Sequence, residues 1–153
     1  MTANPKYLTV DEMIARLGPE EAEQIAGTGL RNAREIDRDR IATALAHADT
    51  LIDGYIRARY PAPFATPPAI LQGIAHDIAR YRLRTKGGQQ TAMADVVERQ
   101  HAAALALLRD IAGGRVTLDA DRDGAQPDGR THADTMRASM PPARADGMLK
   151  GYV

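Results

Sequence analysis

The sequence predicts an all-α fold: a small helical bundle of four to five helices with one short strand or extended segment and a long C-terminal arm. Three observations carry this. Apolar residues recur at three- and four-residue spacing over three long stretches. The apolar mass is mostly Ala, Leu and Ile, with one Phe and no Trp, and small side chains let helices approach closely. Proline and glycine pairs punctuate the ends of the periodic stretches. The 153 residues suit one domain of ordinary size.

The first helix signal is LTVDEMIARLG. Thr9 and Glu12 have the spacing of a capping box, and Gly18 ends the segment. Pro19 suits the first turn of a second short helix, PEEAEQIAG, with acids at its positive end. GTGLRNARE reads as a loop. The clearest helix follows, from about Asp37 to Tyr60. Ile41, Leu45, Ala48, Ile52, Tyr55 and Ile56 form its stripe, Arg38, Thr43, Thr50 and Arg57 lie off it, and Pro61 and Pro63 stop it.

PAPFATPP is a stiff connector in which Thr66 can cap the next helix, with Pro67 at its first position. That helix, about Pro68 to Thr85, aligns Ile70, Ile74, Ile78 and Tyr81, and Gly87 and Gly88 break it. The last helix, about Thr91 to Ala112, aligns Val97, His101, Ala104, Leu105, Leu108 and Ile111 before Gly113 and Gly114. RVTLDA alternates and is expected to be an edge strand. The helical domain therefore takes residues 1–118, and residues 119–153 form an arm. The arm is rich in Gly, Pro and Asp and poor in large apolar residues, so partner chains are expected to order it.

Lys plus Arg and Asp plus Glu are balanced at 20 each, which argues against a protein that lives on phosphate contacts. The absence of cysteine excludes disulfides and thiolate metal sites, and fits a cytosolic setting. The opening residues have no apolar core of signal-peptide length, and no apolar run is long enough to span a membrane.

No cluster of reactive groups points to an enzyme. Asp119, Asp121, Asp123 and Gly124 copy the opening of a calcium loop, but Arg130 stands where the bidentate glutamate belongs and Pro127 lies within. A solvated turn is the better reading. His47, His76, His101 and His132 lack metal-ligand spacing, and the sole serine, Ser139, has no nucleophile motif around it. No catalytic residue, metal or cofactor is expected. Asp77 falls on the apolar side of its helix and Arg59 on that of the preceding one. A buried carboxylate needs a partner, so an Asp77–Arg59 pair is expected between them.

Arg57, Arg59, Arg80, Arg82 and Arg84, with Tyr60 and Tyr81, gather in two short patches. Arginines in last helical turns interact favourably with the helix dipole and the terminal carbonyls. They also fork carboxylates of neighbouring chains. Expected subunit or partner contacts are Arg57, Tyr60, Arg80, Arg82, Arg84, Val116 and Leu118, and in the arm Met136, Met140, Leu149 and Tyr152. The alternative is a small DNA-binding or packaging accessory protein using Arg57–Arg59 and Arg80–Arg84.

YLTVDEMIARLG, then IDRDRIATALAHADTLIDGYIRARYPAPFATPPAILQGIAHDIARYRLR, then ALALLRDIAGGRVTL resemble the Mu-like phage gene-product-36 family over residues 7–118, with the tail beyond Asp121 outside the likeness. The resemblance departs at one place: many relatives have an acidic, glycine-containing loop where this chain reads GTGLRNARE. Through that family the chain resembles the small α-helical head–tail connectors of long-tailed phages. The resemblance implies a non-enzymatic adaptor in the virion neck, assembled in the host cytoplasm. It implies a ring of about twelve copies under the portal protein, a tail-completion or stopper protein on the other side, and DNA passing through without sequence-specific binding.

Overall fold

The computed structural model describes residues 5–29, 34–60, 64, 66–85 and 92–118. In chain order the elements are α1 (Val10–Leu17), α2 (Pro19–Ala26), β1 (Gly27–Thr28), β2 (Glu35–Ile36), α3 (Arg38–Ile56), α4 (Ala69–Thr85) and α5 (Ala92–Ala112). The fold is the expected small, mostly helical bundle.

Local chemistry places each boundary. At α1 the Thr9 hydroxyl oxygen accepts the Glu12 N–H at 3.2 Å, and Glu12 Oε2 accepts the Thr9 N–H at 2.9 Å. Two otherwise orphaned donors are thus satisfied reciprocally. Gly18, at φ 79°, closes α1 and opens α2, with Pro19 as the first residue of the new helix. That backbone conformation is open to glycine and strained for other residues. Asp37 caps α3 by accepting the Arg40 N–H at 2.9 Å.

Three boundaries depart from the sequence reading. GTGLRNARE is not only a loop: Gly27 pairs with Ile36 and Thr28 with Glu35 in a two-stranded antiparallel ladder. Helix α3 stops at Ile56, before the expected Tyr60, and the Arg59 and Tyr60 N–H groups both turn back to the Ile56 carbonyl. Proline disfavours helical geometry in the residue before it, which explains an end ahead of Pro61. Helix α4 begins at Ala69, and Pro68 rather than Thr66 supplies the first acceptor, to the Leu71 and Gln72 N–H groups.

Helices α3, α4 and α5 pack against one another, and α1 and α2 lie across α3 and α4. The expected stripes of α3 and α5 face inward, whereas on α4 Ile74 and Ile78 are buried but Ile70 and Tyr81 only partly so, and the buried face turns toward Leu71, Ala75, Ala79 and Leu83. Ile41, Leu45, Ala48, Ile52 and Ile56 of α3 are fully buried, as are Leu71, Ala75 and Ala79 of α4 and Leu108 and Ile111 of α5. Alanines at the contacts, including Ala44, Ala48, Ala75, Ala79 and Ala104, let the backbones come close in a core with few aromatics. Each fully buried Ile or Leu contributes roughly 1.5–3 kcal/mol relative to exposure.

The expected strand at RVTLDA does not form in its described part, residues 115–118. After Gly114, at φ 76°, the chain turns back on α5, and the Arg115 and Val116 N–H groups donate to the Asp110 carbonyl. Leu118 is then fully buried, and its N–H donates to the Tyr60 hydroxyl oxygen at 3.1 Å. A residue bound this way is an anchor of the core, not a strand edge awaiting a partner.

Tyr60→Phe leaves the Leu118 N–H buried without an acceptor. The expected cost is about 1–3 kcal/mol, read from the urea midpoint, together with faster amide exchange at Leu118. Unchanged exchange there would show that apolar burial alone holds the segment.

Candidate functional site

The two arginine patches fare differently. Glu21, in the first turn of α2, is gripped by both Arg80 and Arg84 from the end of α4. Arg80 forks it, Nε to Oε1 and Nη2 to Oε2, both at 2.8 Å. Arg84 donates from Nε at 3.1 Å and from Nη2 at 2.6 Å, both to Oε1. Arg80 also reaches Gln100 of α5 at 3.0 Å, so one cluster ties three helices together. The three charged side chains are only 13–15% exposed. Burial pushes the Glu21 carboxyl up, but the hydrogen bonds and charge of Arg80 and Arg84 outweigh it and hold the pKa below the usual carboxylate range.

Arg80 and Arg84, expected at subunit contacts, are therefore committed within the chain. Tyr60, 2% exposed, and Leu118 also belong to the core, so the expectation that they meet a partner is corrected. Val116 packs partly buried against the same core. Arg57 is exposed. Met136, Met140, Leu149 and Tyr152, with the acidic run from Asp119 and His132, lie outside the described residues.

The expected Asp77–Arg59 pair is not formed. Asp77 Oδ1 instead meets His76 Nδ1 at 3.0 Å, with its side chain 30% exposed. The Arg59 guanidinium fills the space beside Gly114, and its Cζ lies 5.9 Å from the Tyr60 ring centroid. The reason is axial distance. Arg59 sits just beyond α3, near the start of α4, and Asp77 lies eight residues into α4, about 12 Å along the axis. His101, on the apolar stripe of α5, stands partly buried at the edge of the core. It stacks on Tyr81 at 4.0 Å and 8°, and burial lowers its pKa against the opposing pull of Asp77 and Glu98.

A second cluster escaped the sequence reading. Asp49 and Asp53, one turn apart on α3, are 5% and 8% exposed. Asp49 accepts the Lys6 N–H at 2.7 Å and the Tyr7 N–H at 3.4 Å. Asp53 accepts Lys6 Nζ at 2.7 Å and the Tyr7 hydroxyl at 2.5 Å. Burial raises Asp49 against the pull of these N–H groups. Burial also pushes Asp53 up, but Lys6 and Tyr7 outweigh it and its pKa falls. Burial and the Asp53 carboxylate together drive the Tyr7 hydroxyl far above the usual tyrosine range, so it stays a donor. The remaining patch residue, Arg82, lines a recess of about 220 Å³ with Leu83 of α4 and Arg40, Thr43 and Ala44 of α3. Among the described residues no group of three or more His, Cys, Asp or Glu is placed to hold a metal ion.

The model of the family described as "Bacteriophage Mu, Gp36" matches residues 7–137. The chain belongs to the bacteriophage Mu gp36 family. It is also similar to the Mu-like prophage FluMu protein gp36 of Haemophilus influenzae. The two are 29% identical over 117 residues, spanning 76% of this chain and 78% of that protein. The gp36 match starts at Tyr7, the clamp residue on Asp53, and takes in the Glu21 cluster and all five helices. It also runs past Leu118 into the arm, which corrects the expectation that the likeness stops before the tail.

The clamp was missed because aspartate scores as a surface residue and Asp49 and Asp53 were not placed on the α3 stripe. The available signal was their four-residue spacing beside Ala48 and Ile52. Glu21 carried a weaker one, as a first-turn acid of a helix with no basic residue of its own to pair with.

Glu21→Gln leaves two mostly buried guanidiniums without their carboxylate, at an expected cost of about 1–3 kcal/mol at neutral pH. Glu21 and Asp53 both have depressed folded pKa values. Their stabilisation is complete above the unfolded carboxylate range near about 4 and is lost as pH falls through the folded values. Asp49 is raised and acts with the opposite sign, favouring the folded state when protonated. Melting temperature between about pH 3 and 7 should therefore fall on acidification, and less steeply in Glu21→Gln. An identical slope in the variant would remove Glu21 from the account.

Proposed function

We propose that this gp36-family protein is a non-enzymatic head–tail connector. About twelve copies would form a ring beneath the portal protein in the virion neck, extending the DNA channel and seating a tail-completion or stopper protein. The observation that carries this reading over the DNA-binding alternative is the commitment of Arg80 and Arg84 to Glu21. Buried, forked guanidiniums are not available to release counterions from a phosphate backbone. The balanced charge of 20 basic and 20 acidic residues supports a wall past which DNA slides. No helix among the described residues is long and apolar enough to cross a membrane. Family membership supports a place among phage proteins, and the arm from residue 119 is read as the segment that docks on neighbours or on the portal.

Particles from a phage whose copy of this gene is deleted should be DNA-filled heads with unattached tails. Reconstruction of wild-type particles should place the chain in the neck. Complete infectious virions without the chain, or density for it elsewhere, would overturn the reading. A chain cut after Ala120 should keep its helical circular dichroism and cooperative melting yet fail to enter particles. Normal incorporation of the truncated chain would show the arm to be dispensable. Wild-type protein should also give no salt-steep mobility shift of duplex DNA at physiological ionic strength, and tight binding there would favour the accessory-protein alternative.

A further inference from the structure

The recess between α3 and α4 has a chemistry that the protomer leaves unmatched. Arg40 comes from the first turn of α3 and Arg82 from the last turn of α4, and both are partly exposed. Neither guanidinium makes a hydrogen bond or ion pair among the described residues, in contrast to Arg80, Arg84, Arg38 and Arg115, which are held by Glu21, Asp11 and Asp110. The Thr43 hydroxyl already donates to the Asp39 carbonyl at 2.8 Å, so the free donors are the two guanidiniums. Ala44 and Leu83, both buried, form an apolar floor. Such a site accepts a carboxylate with an apolar side chain beside it better than a bare phosphate strand, which offers no apolar group.

The same chain carries the complementary surface. Asp95 and Glu98, three residues apart, share the outer side of α5 near its start, and both are exposed. Between them Val96 is 43% exposed, the one large apolar side chain so exposed among the described residues. Arg99 turns its Nε back to the Asp95 carbonyl at 3.2 Å and leaves the carboxylates outward.

We infer that the Asp95–Val96–Glu98 ridge of one copy docks in the Arg40–Arg82 recess of the next. Ridge and recess lie on different helices, so the contact is heterologous, and repetition closes a ring or extends a filament. The inference rests on the ring assembly proposed above and names its contact.

The chain contains no cysteine, so introduced thiols report cleanly. Thr43→Cys and Val96→Cys, combined in the full-length chain, are treated with a short bismaleimide in assembled particles. A ladder of covalent multimers beyond the dimer is expected, and each single-cysteine variant should give none. A ladder that stops at the dimer identifies a two-fold contact and overturns the inference. Particles that contain the chain but give no cross-link overturn it while leaving the connector reading intact, whereas particles lacking the chain remove both. In the same cysteine background Arg40→Glu with Arg82→Glu should lower multimer yield at least about tenfold through like-charge opposition, and adding Asp95→Lys with Glu98→Lys should restore it. Unchanged yield in the reversed variant, with loss of duplex DNA binding in a mobility shift, would assign the recess to phosphate and overturn the contact.

Discussion

Two carboxylates inside a helix bundle set the condition that the N-terminal half of the fold meets. Asp49 and Asp53 lie among the apolar residues of α3, and unpaired they would cost several kcal/mol each. Water does not reach them freely, so the chain must bring donors. Residues 6 and 7 do so with two backbone N–H groups, one ammonium and one phenol. Once Tyr7 is fixed, its ring lies 6.3 Å from Phe64, which lies 6.5 Å from Tyr60, and Leu8 enters the core. The Thr9 cap follows at once, so the position of α1 is fixed by the demand of charges on α3. The polar pairing thus gives register to a surface that alanine and leucine alone would leave loosely specified.

The Glu21 cluster does the same for α2 by a different route. The start of α2 presents acids and the end of α4 presents arginines, the arrangement that both helix dipoles favour. Bringing these ends together lets one carboxylate satisfy two forks. Small residues at the α3–α4–α5 contacts keep the helices close enough for side chains of arginine length to span from α4 to α2 and α5. Charge is thereby used inside the chain, while Arg40 and Arg82 are among the arginines without a carboxylate partner among the described residues.

Helix existence was legible because burial in this fold follows the 3.6-residue period closely, and because Thr9, Asp37, Gly18 and the Gly113–Gly114 pair mark ends by local chemistry. What was not legible depends on which helices meet and at what height. Asp77 and Arg59 each fit a buried face by angle, but angle says nothing of axial position, and they sit apart along the α3–α4 pair. Asp49 and Asp53 were hidden by the opposite error, since residue type outweighed spacing. The two-residue strands at Gly27–Thr28 and Glu35–Ile36 are too short to show alternation. Leu118 looked like the edge of a strand because its alternating neighbours carried the pattern, while its true partner, Tyr60, is 58 residues away.

The Tyr60 hydroxyl that receives Leu118 sits in the same aromatic group as Tyr7. The polypeptide therefore enters and leaves the helical body at one pole, beside the end of α3. The opposite pole, about 28 Å away along the 19 residues of α3, is built from the start of α3 and the end of α4. In any closed ring with equivalent copies, the points where the chain enters and leaves each helical body would all fall on one rim, giving the assembly two unlike sides from a single hydroxyl's choice of partner.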